Sequence, residues 1–338
     1  MTLESTWFFL WGLLWAVYFM TDGFDLGIGT LMPFLGKTEA DKRVMVNSIG
    51  PLWDGNEVWL LTAGGVTFAA FPEVYAVMFS SLYSALMLIL FALILRGVSF
   101  EFRNKVDSDG WRKVWDICIF AGSAVPALLF GVAFANIFRG IPIDQNGIYQ
   151  GSLFTLLNPY GLLGGVLFLI AFLLHGSLWL TTKAQGELQQ RAVSIANRLW
   201  PVLLAVAVIF LAASIFATSL YANYLNNPIL FSVILLTVCA LLGIKVFLAK
   251  QAYFKAWCAS ALTIVGTTFY GIIGLYPKML PSNIDVAYSL TAHSSASSPQ
   301  TLKIMLMVVV LFLPVVLAYQ IWAYFLFKGE VTEKDMVY

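Results

Sequence analysis

Charge is scarce in this sequence. Of 338 residues, 19 are Lys or Arg and 18 are Asp or Glu, so charged residues make up 11% of the chain. Soluble domains carry about 25%, and a chain this poor in charge cannot cover the surface of a water-borne globule. A soluble enzyme, a disordered segment and a nucleic-acid binder are thereby excluded, and the net charge of +1 gives no field to attract a polyanion. Cysteine is rarer. Cys118, Cys239 and Cys258 form no CxxC and each sits in an apolar run, so they read as small buried hydrophobes rather than a disulfide framework. Histidine is rarer still, with only His175 and His293. The chain has no Cys/His spacing suited to a metal, no nucleophile elbow and no phosphate-cradling glycine loop.

What the sequence has in abundance is apolar surface, 60% hydrophobic and 15% aromatic residues, gathered in long runs. A run of about 20 apolar residues crosses a bilayer as a helix. Nine such spans are expected, at 7–31, 51–71, 74–95, 114–136, 154–181, 199–220, 229–249, 257–275 and 304–327. The reading is an all-α polytopic membrane protein, a single integral membrane domain over 1–338. The first run lacks a basic flank and continues beyond a short signal-peptide core, so it is expected to be a retained helix.

The few charges set the topology. Taking alternate connections together, one side holds 16 basic residues, from Lys37 to Lys334, and the other only Arg139, Lys278 and Lys303, which accounts for all 19. By the positive-inside rule the N-terminus lies outside and the C-terminus in the cytoplasm. The outer connections 137–153 and 276–303 are the long ones, and the second, rich in Ser and Pro, is expected to be at least partly ordered.

Ionisable residues at membrane depth are costly and usually functional. Asp22 and Asp25 stand i, i+3 near the end of the first span, so they share a helix face, and Gly23 and Gly27 beside them let another helix approach closely. Asp54 and Glu57 repeat the spacing at the start of the second span, just after Pro51. Four carboxylates are thus expected at one depth near the cytoplasm. They suit a proton or cation path, because closely placed buried carboxylates raise each other's proton affinity. For Asp54 and Glu57 the alternative is electrostatic stabilisation of a helix N-terminus. A proton-coupled transporter would use the same carboxylates, although no inverted repeat with paired broken helices is visible. His175 lies within the fifth span. Bis-His haem ligation needs two such imidazoles, which leaves a single axial ligand or a hydrogen-bonded packing residue.

The same segments resemble subunit II of the cytochrome bd-type quinol oxidases. The resemblance is carried by Thr21–Gly29 (TDGFDLGIG), Asn47–Leu60 (NSIGPLWDGNEVWL), Phe68–Pro72 (FAAFP) and Arg96–Arg103 (RGVSFEFR). It continues through Leu275–Pro277, Leu280–Ser282, Ser289–Thr291, Thr301–Leu306, Phe312–Pro314 and Trp322–Tyr324, in order along the chain, while 114–270 matches mainly as hydropathy. It implies two four-helix bundles plus one helix. It also implies membership of a complex that passes electrons from a membrane quinol to oxygen, making water with protons taken from the cytoplasm. Two b-type haems and one d-type haem would sit in subunit I, and small single-helix subunits often join. This chain would hold no haem ligand, with room for a structural quinone or lipid. It would serve as a scaffold in a bacterial inner membrane and contribute Asp54, Asp25 and Glu57 to a proton pathway. Trp59 would line an apolar path for oxygen, or simply pack.

Overall fold

The computed structural model describes residues 2–331; Lys334, counted above among the cytoplasmic charges, lies outside them. Thirteen α-helices run in chain order: α1 (Leu3–Leu35), α2 (Glu39–Ile49), α3 (Trp53–Ala70), α4 (Pro72–Ser81), α5 (Tyr83–Phe102), α6 (Asp109–Arg139) and α7 (Leu153–Leu156). They continue with α8 (Pro159–Lys183), α9 (Gly186–Ala217), α10 (Tyr221–Asn226), α11 (Phe231–Ala249), α12 (Tyr253–Leu275) and α13 (Pro299–Leu326). Their starts are chemically marked. Thr2, Ser108, Asn158 and Ser298 each accept a hydrogen bond from a first-turn backbone N–H, and Thr38 and Asp41 form a reciprocal capping box.

Eight of these helices are long and apolar enough to cross a membrane. The expected second span, now α3, falls short because Asp54, Asn56 and Glu57 crowd its first turns. It is joined to α13 at two points: Tyr324 Oη donates to Asn56 Oδ1 (2.8 Å), and the Ser297 amide donates to the Ala70 carbonyl (2.8 Å). Its 18 residues reach about 27 Å at 1.5 Å per residue. The third span is split at Leu82 into α4 and α5. Pro51, expected in a first helical turn, instead lies in the turn between α2 and α3.

α1 packs against α3, α6, α8 and α12, α6 against α5 and α8, α8 against α9 and α12, and α11 against α12, with α13 against α1 and α3. Two close crossings are those of α8 with α1 and with α6. At the first crossing a Cβ on Gly23 would stand 2.7 Å from Phe172 Cδ1, and one on Gly176 would stand 2.7 Å from the Ile28 nitrogen. The close approach read from Gly23 and Gly27 is therefore real, and α8 is the helix that makes it.

At one end, ion pairs Lys42–Asp116, Arg103–Asp116, Arg103–Glu39 and Arg191–Asp41 tie α2 to α5, α6 and α9. At the other, segment 140–152 docks on the 276–298 loop. That loop is ordered, with an antiparallel ribbon of β1 (Lys278–Leu280) and β2 (Leu290–Thr291), a small departure from the all-α expectation. The cysteines also depart from expectation: Cys239 is exposed and Cys118 and Cys258 are half-buried. Their helix faces are the apolar exterior, where hydrocarbon takes the place of a protein core.

Candidate functional site

Polar side chains converge between α1, α3, α5 and α13. The organising group was not singled out by sequence: Arg96, counted as a connection residue, lies inside α5 and is fully buried. Its Nη2 donates to Asp22 Oδ1 at 2.7 Å and to Glu57 Oε2 at 3.2 Å. One turn along α1, Asp25 Oδ2 accepts from Asn56 Nδ2 at 2.7 Å, and Asn56 Oδ1 accepts from Tyr324. Asp22 and Asp25 are both fully buried. Neither is near a helix end, since α1 continues to Leu35, beyond the expected end of the first span at 31.

Two carboxylates thus share one guanidinium, and a third, Asp25, lies one turn away on Asn56. Among the described residues, Asp25 Oδ1 and the Arg96 Nε and Nη1 groups have no hydrogen-bond partner, although all are buried. Leaving buried charged groups without partners is costly, so these atoms call for further partners beyond this chain's own side chains. A carboxyl without a cation has room for a proton. Exposure is graded: Asp22 is closed off, while the Glu57 side chain keeps 23% of its surface accessible.

Asp54 does not join the cluster. It sits in the first turn of α3 on an exposed face, with Glu101 the carboxylate acting on it. Of four carboxylates expected at one depth, the structure unites Asp22, Asp25 and Glu57 and sets Asp54 outside. Trp59 is buried, and its indole Nε1 donates to Gln320 Oε1 at 2.9 Å. It joins α3 to α13 and does not line the apolar cleft of about 570 Å³ between α3, α5 and α6, whose walls are its neighbours Leu60 and Leu61.

His175 is fully buried. Its Nε2 lies 2.9 Å from the Met20 carbonyl oxygen, which can only accept, so Nε2 carries the proton and Nδ1 accepts from the Ser260 hydroxyl. The ring stacks on Trp257, with centroids 5.4 Å apart and planes at 8°. With both nitrogens engaged, His175 has none to offer an iron. Of the two readings left open by sequence, the packing residue agrees with this geometry and the axial ligand does not. Sequence reasoning could have found Arg96 from the unbroken apolar run Leu86–Leu95 before it. A charge directly after such a run falls inside the helix as readily as past its end.

Comparison with known proteins adds an independent finding. The family model of cytochrome bd terminal oxidase subunit II matches residues 3–327. A cytochrome bd ubiquinol oxidase subunit 2 from Bacillus subtilis is 38% identical, over 99% of this chain and 98% of its own length. A cytochrome bd-I ubiquinol oxidase subunit 2 from Escherichia coli is 36% identical, over 99% and 96%. Among solved structures, a chain of the bd oxidase from Geobacillus thermodenitrificans shares the fold, with a TM-score of 0.79 at 16% identity over 97% of this chain and 99% of that one. Since the match runs through α1, α3 and α5 and on into α13, and the buried cluster lies on those helices, the chain belongs to the cytochrome bd terminal oxidase subunit II family.

Proposed function

We propose that this multi-pass membrane protein is subunit II of a quinol oxidase in a bacterial inner membrane. The complex passes electrons from quinol to oxygen and takes protons for water from the cytoplasm. The partner is subunit I, which carries two b-type haems and one d-type haem, together with the quinol site; small single-helix subunits can complete the complex. The N-terminus is outside and the C-terminus cytoplasmic. Family membership supports this reading, and full-length likeness to the subunits named above agrees with it.

This chain's own work is to hold the partner and to conduct protons. The observation that carries the second role is the cluster in which Asp22 and Glu57 share Arg96 while Asp25, one turn along α1, is held by Asn56. Asp54, exposed on α3, receives protons; Glu57, partly accessible, passes them inward; Asp22 and Asp25 hold them at depth. A carboxylate facing hydrocarbon is expensive, so the Asp54 face of α3 is where a partner subunit would cover the chain.

The test is Asp25→Asn and Asp54→Asn in the assembled complex. Turnover falls about a hundred-fold or more, the lower end of what positioned proton-transfer groups contribute, while haem content stays normal. Unchanged turnover at every pH would remove these residues from the path. A colourless complex recovered on this chain would remove the oxidase reading itself, and with it the preference over a proton-coupled transporter. One observation favours a purely structural Asp54, its place in the first turn of α3; that role predicts normal turnover with about 0.3–1 kcal/mol lost stability.

A further inference from the structure

A cleft of about 730 Å³ lies between the last turns of α8 and α13, the start of α12 and the middle of α1, with Tyr324, which reaches Asn56 of the carboxylate cluster, in its wall. Its walls are apolar and aromatic, including Trp179, Phe254, Trp257, Ile321 and Phe325. Lys183 and Lys328 mark one end, at the termini of α8 and α13; Val17 and Leu317 mark the other, well inside α1 and α13. From Leu317 to the end of α13 at Leu326 is about 14 Å at 1.5 Å per residue, close to half of a hydrocarbon core of about 30 Å. The cleft is therefore about one leaflet deep.

Its charge is one-sided. No acidic side chain lines it. Lys183 is only 3% exposed, yet its ammonium meets no carboxylate among the described residues. It donates to the carbonyls of Phe327 and Gly329 and lies 4.7 Å from the Trp179 ring centroid. Lys328, exposed, lies 5.9 Å from the Phe325 ring centroid. Two cations with no carboxylate partner among the described residues, at the end of a leaflet-deep apolar groove, match a ligand with an anionic head and a long apolar tail. Basic pockets between membrane helices take acidic lipid head groups on these terms, and the volume is that of an ordinary ligand site.

We propose that this cleft is a binding site for one anionic phospholipid of the adjoining leaflet. Its phosphate sits at Lys183 and Lys328, and one acyl chain lies against Trp179, Trp257 and Ile321. A quinone, with a neutral head, would have no use for the two cations.

The experiment places the assembled complex in nanodiscs of phosphatidylcholine containing a minor fraction of phosphatidylglycerol. The lipid retained through detergent extraction is then counted by native mass spectrometry. Wild type retains phosphatidylglycerol in preference to phosphatidylcholine. Lys328→Gln lowers that preference about five-fold, the worth of one lysine near an anionic head group. Ile321→Trp, which fills the groove and keeps both charges, lowers it at least as much. Lys105→Gln, an exposed lysine between α5 and α6, leaves it unchanged. Equal retention of the two lipids, an equal loss in Lys105→Gln and Lys328→Gln, or a retained quinone in place of the lipid would each overturn the proposal.

Discussion

Arg96 is the most informative residue to remove. It is fully buried, and its Nη2 alone is shared by Asp22 at 2.7 Å and Glu57 at 3.2 Å. Arg96→Met keeps much of the side-chain length but strands both carboxylates, one of them fully buried. Breaking a buried ion pair from one side costs about 3–5 kcal/mol, because the remaining charge has lost its partner where water cannot replace it. Replacing all the members together by neutral groups is nearly neutral by the same reasoning. The combined variant Arg96→Met, Asp22→Leu, Glu57→Gln should therefore recover most of what the single variant loses. The assay is unfolding of the assembled complex in mixed micelles by titrated denaturing detergent, for wild type, single and combined variants. A loss below about 1 kcal/mol in Arg96→Met, or a combined variant no more stable than the single one, would refute the view that one cation holds the cluster together. Turnover separates the roles, since the combined variant is expected to be stable and slow.

His175→Phe keeps a ring to stack on Trp257 but leaves the Ser260 hydroxyl and Met20 carbonyl without their partner. The expected cost is about 1–3 kcal/mol with an unchanged visible spectrum; selective loss of one haem band at equal yield would contradict the packing role. In the 140–152 segment, the amides of Asn146 and Ile148 donate to Asp144 and hold its carboxyl below the ordinary range. A lowered folded-state pKa stabilises above the unfolded value and loses that contribution as pH falls through the folded one. Protection of those two amides from hydrogen exchange should accordingly decline below about pH 4. The decline should be absent in Asp144→Asn, whose side chain still accepts but does not titrate there; identical profiles in the two proteins would rule out the carboxylate as its cause.

The helices were legible because hydrocarbon demands them. A chain that leaves backbone groups unpaired in a bilayer pays for each, so a long apolar run has one viable conformation. Boundaries were less legible, and the failures share a cause. The sequence places a span's end at the first charge, but a charge can stay in the helix when a neighbour neutralises it. Arg96 does so with Asp22 and Glu57. The partners of Arg96 lie 74 and 39 residues away, on other helices, and no local pattern announces them. The i, i+3 spacing of Asp54 and Glu57 was correctly seen, yet an offset of three residues turns a side chain about 60° around a helix axis. In α3 that rotation separates a carboxylate inside the cluster from one on the exposed face.

The same displacement bears on the topology. If Arg96 belongs to the membrane interior, it no longer counts toward a connection, and one of the 16 basic residues assigned to that side is withdrawn. The remaining 15 still outnumber Arg139, Lys278 and Lys303, so the expectation of a cytoplasmic C-terminus is unchanged by that withdrawal. The withdrawn charge acquires a different meaning. An arginine that ends an apolar run usually anchors a helix at the interface; here it is spent inside, on carboxyls that outnumber it. A purely structural site would match its charges, since an unmatched carboxyl at this depth destabilises the fold without improving its packing. Excess acid around a single permanent cation is instead what a site that loads and releases a proton requires. In the proposed pathway, the carboxyls in excess of the cation are the ones that load and release a proton.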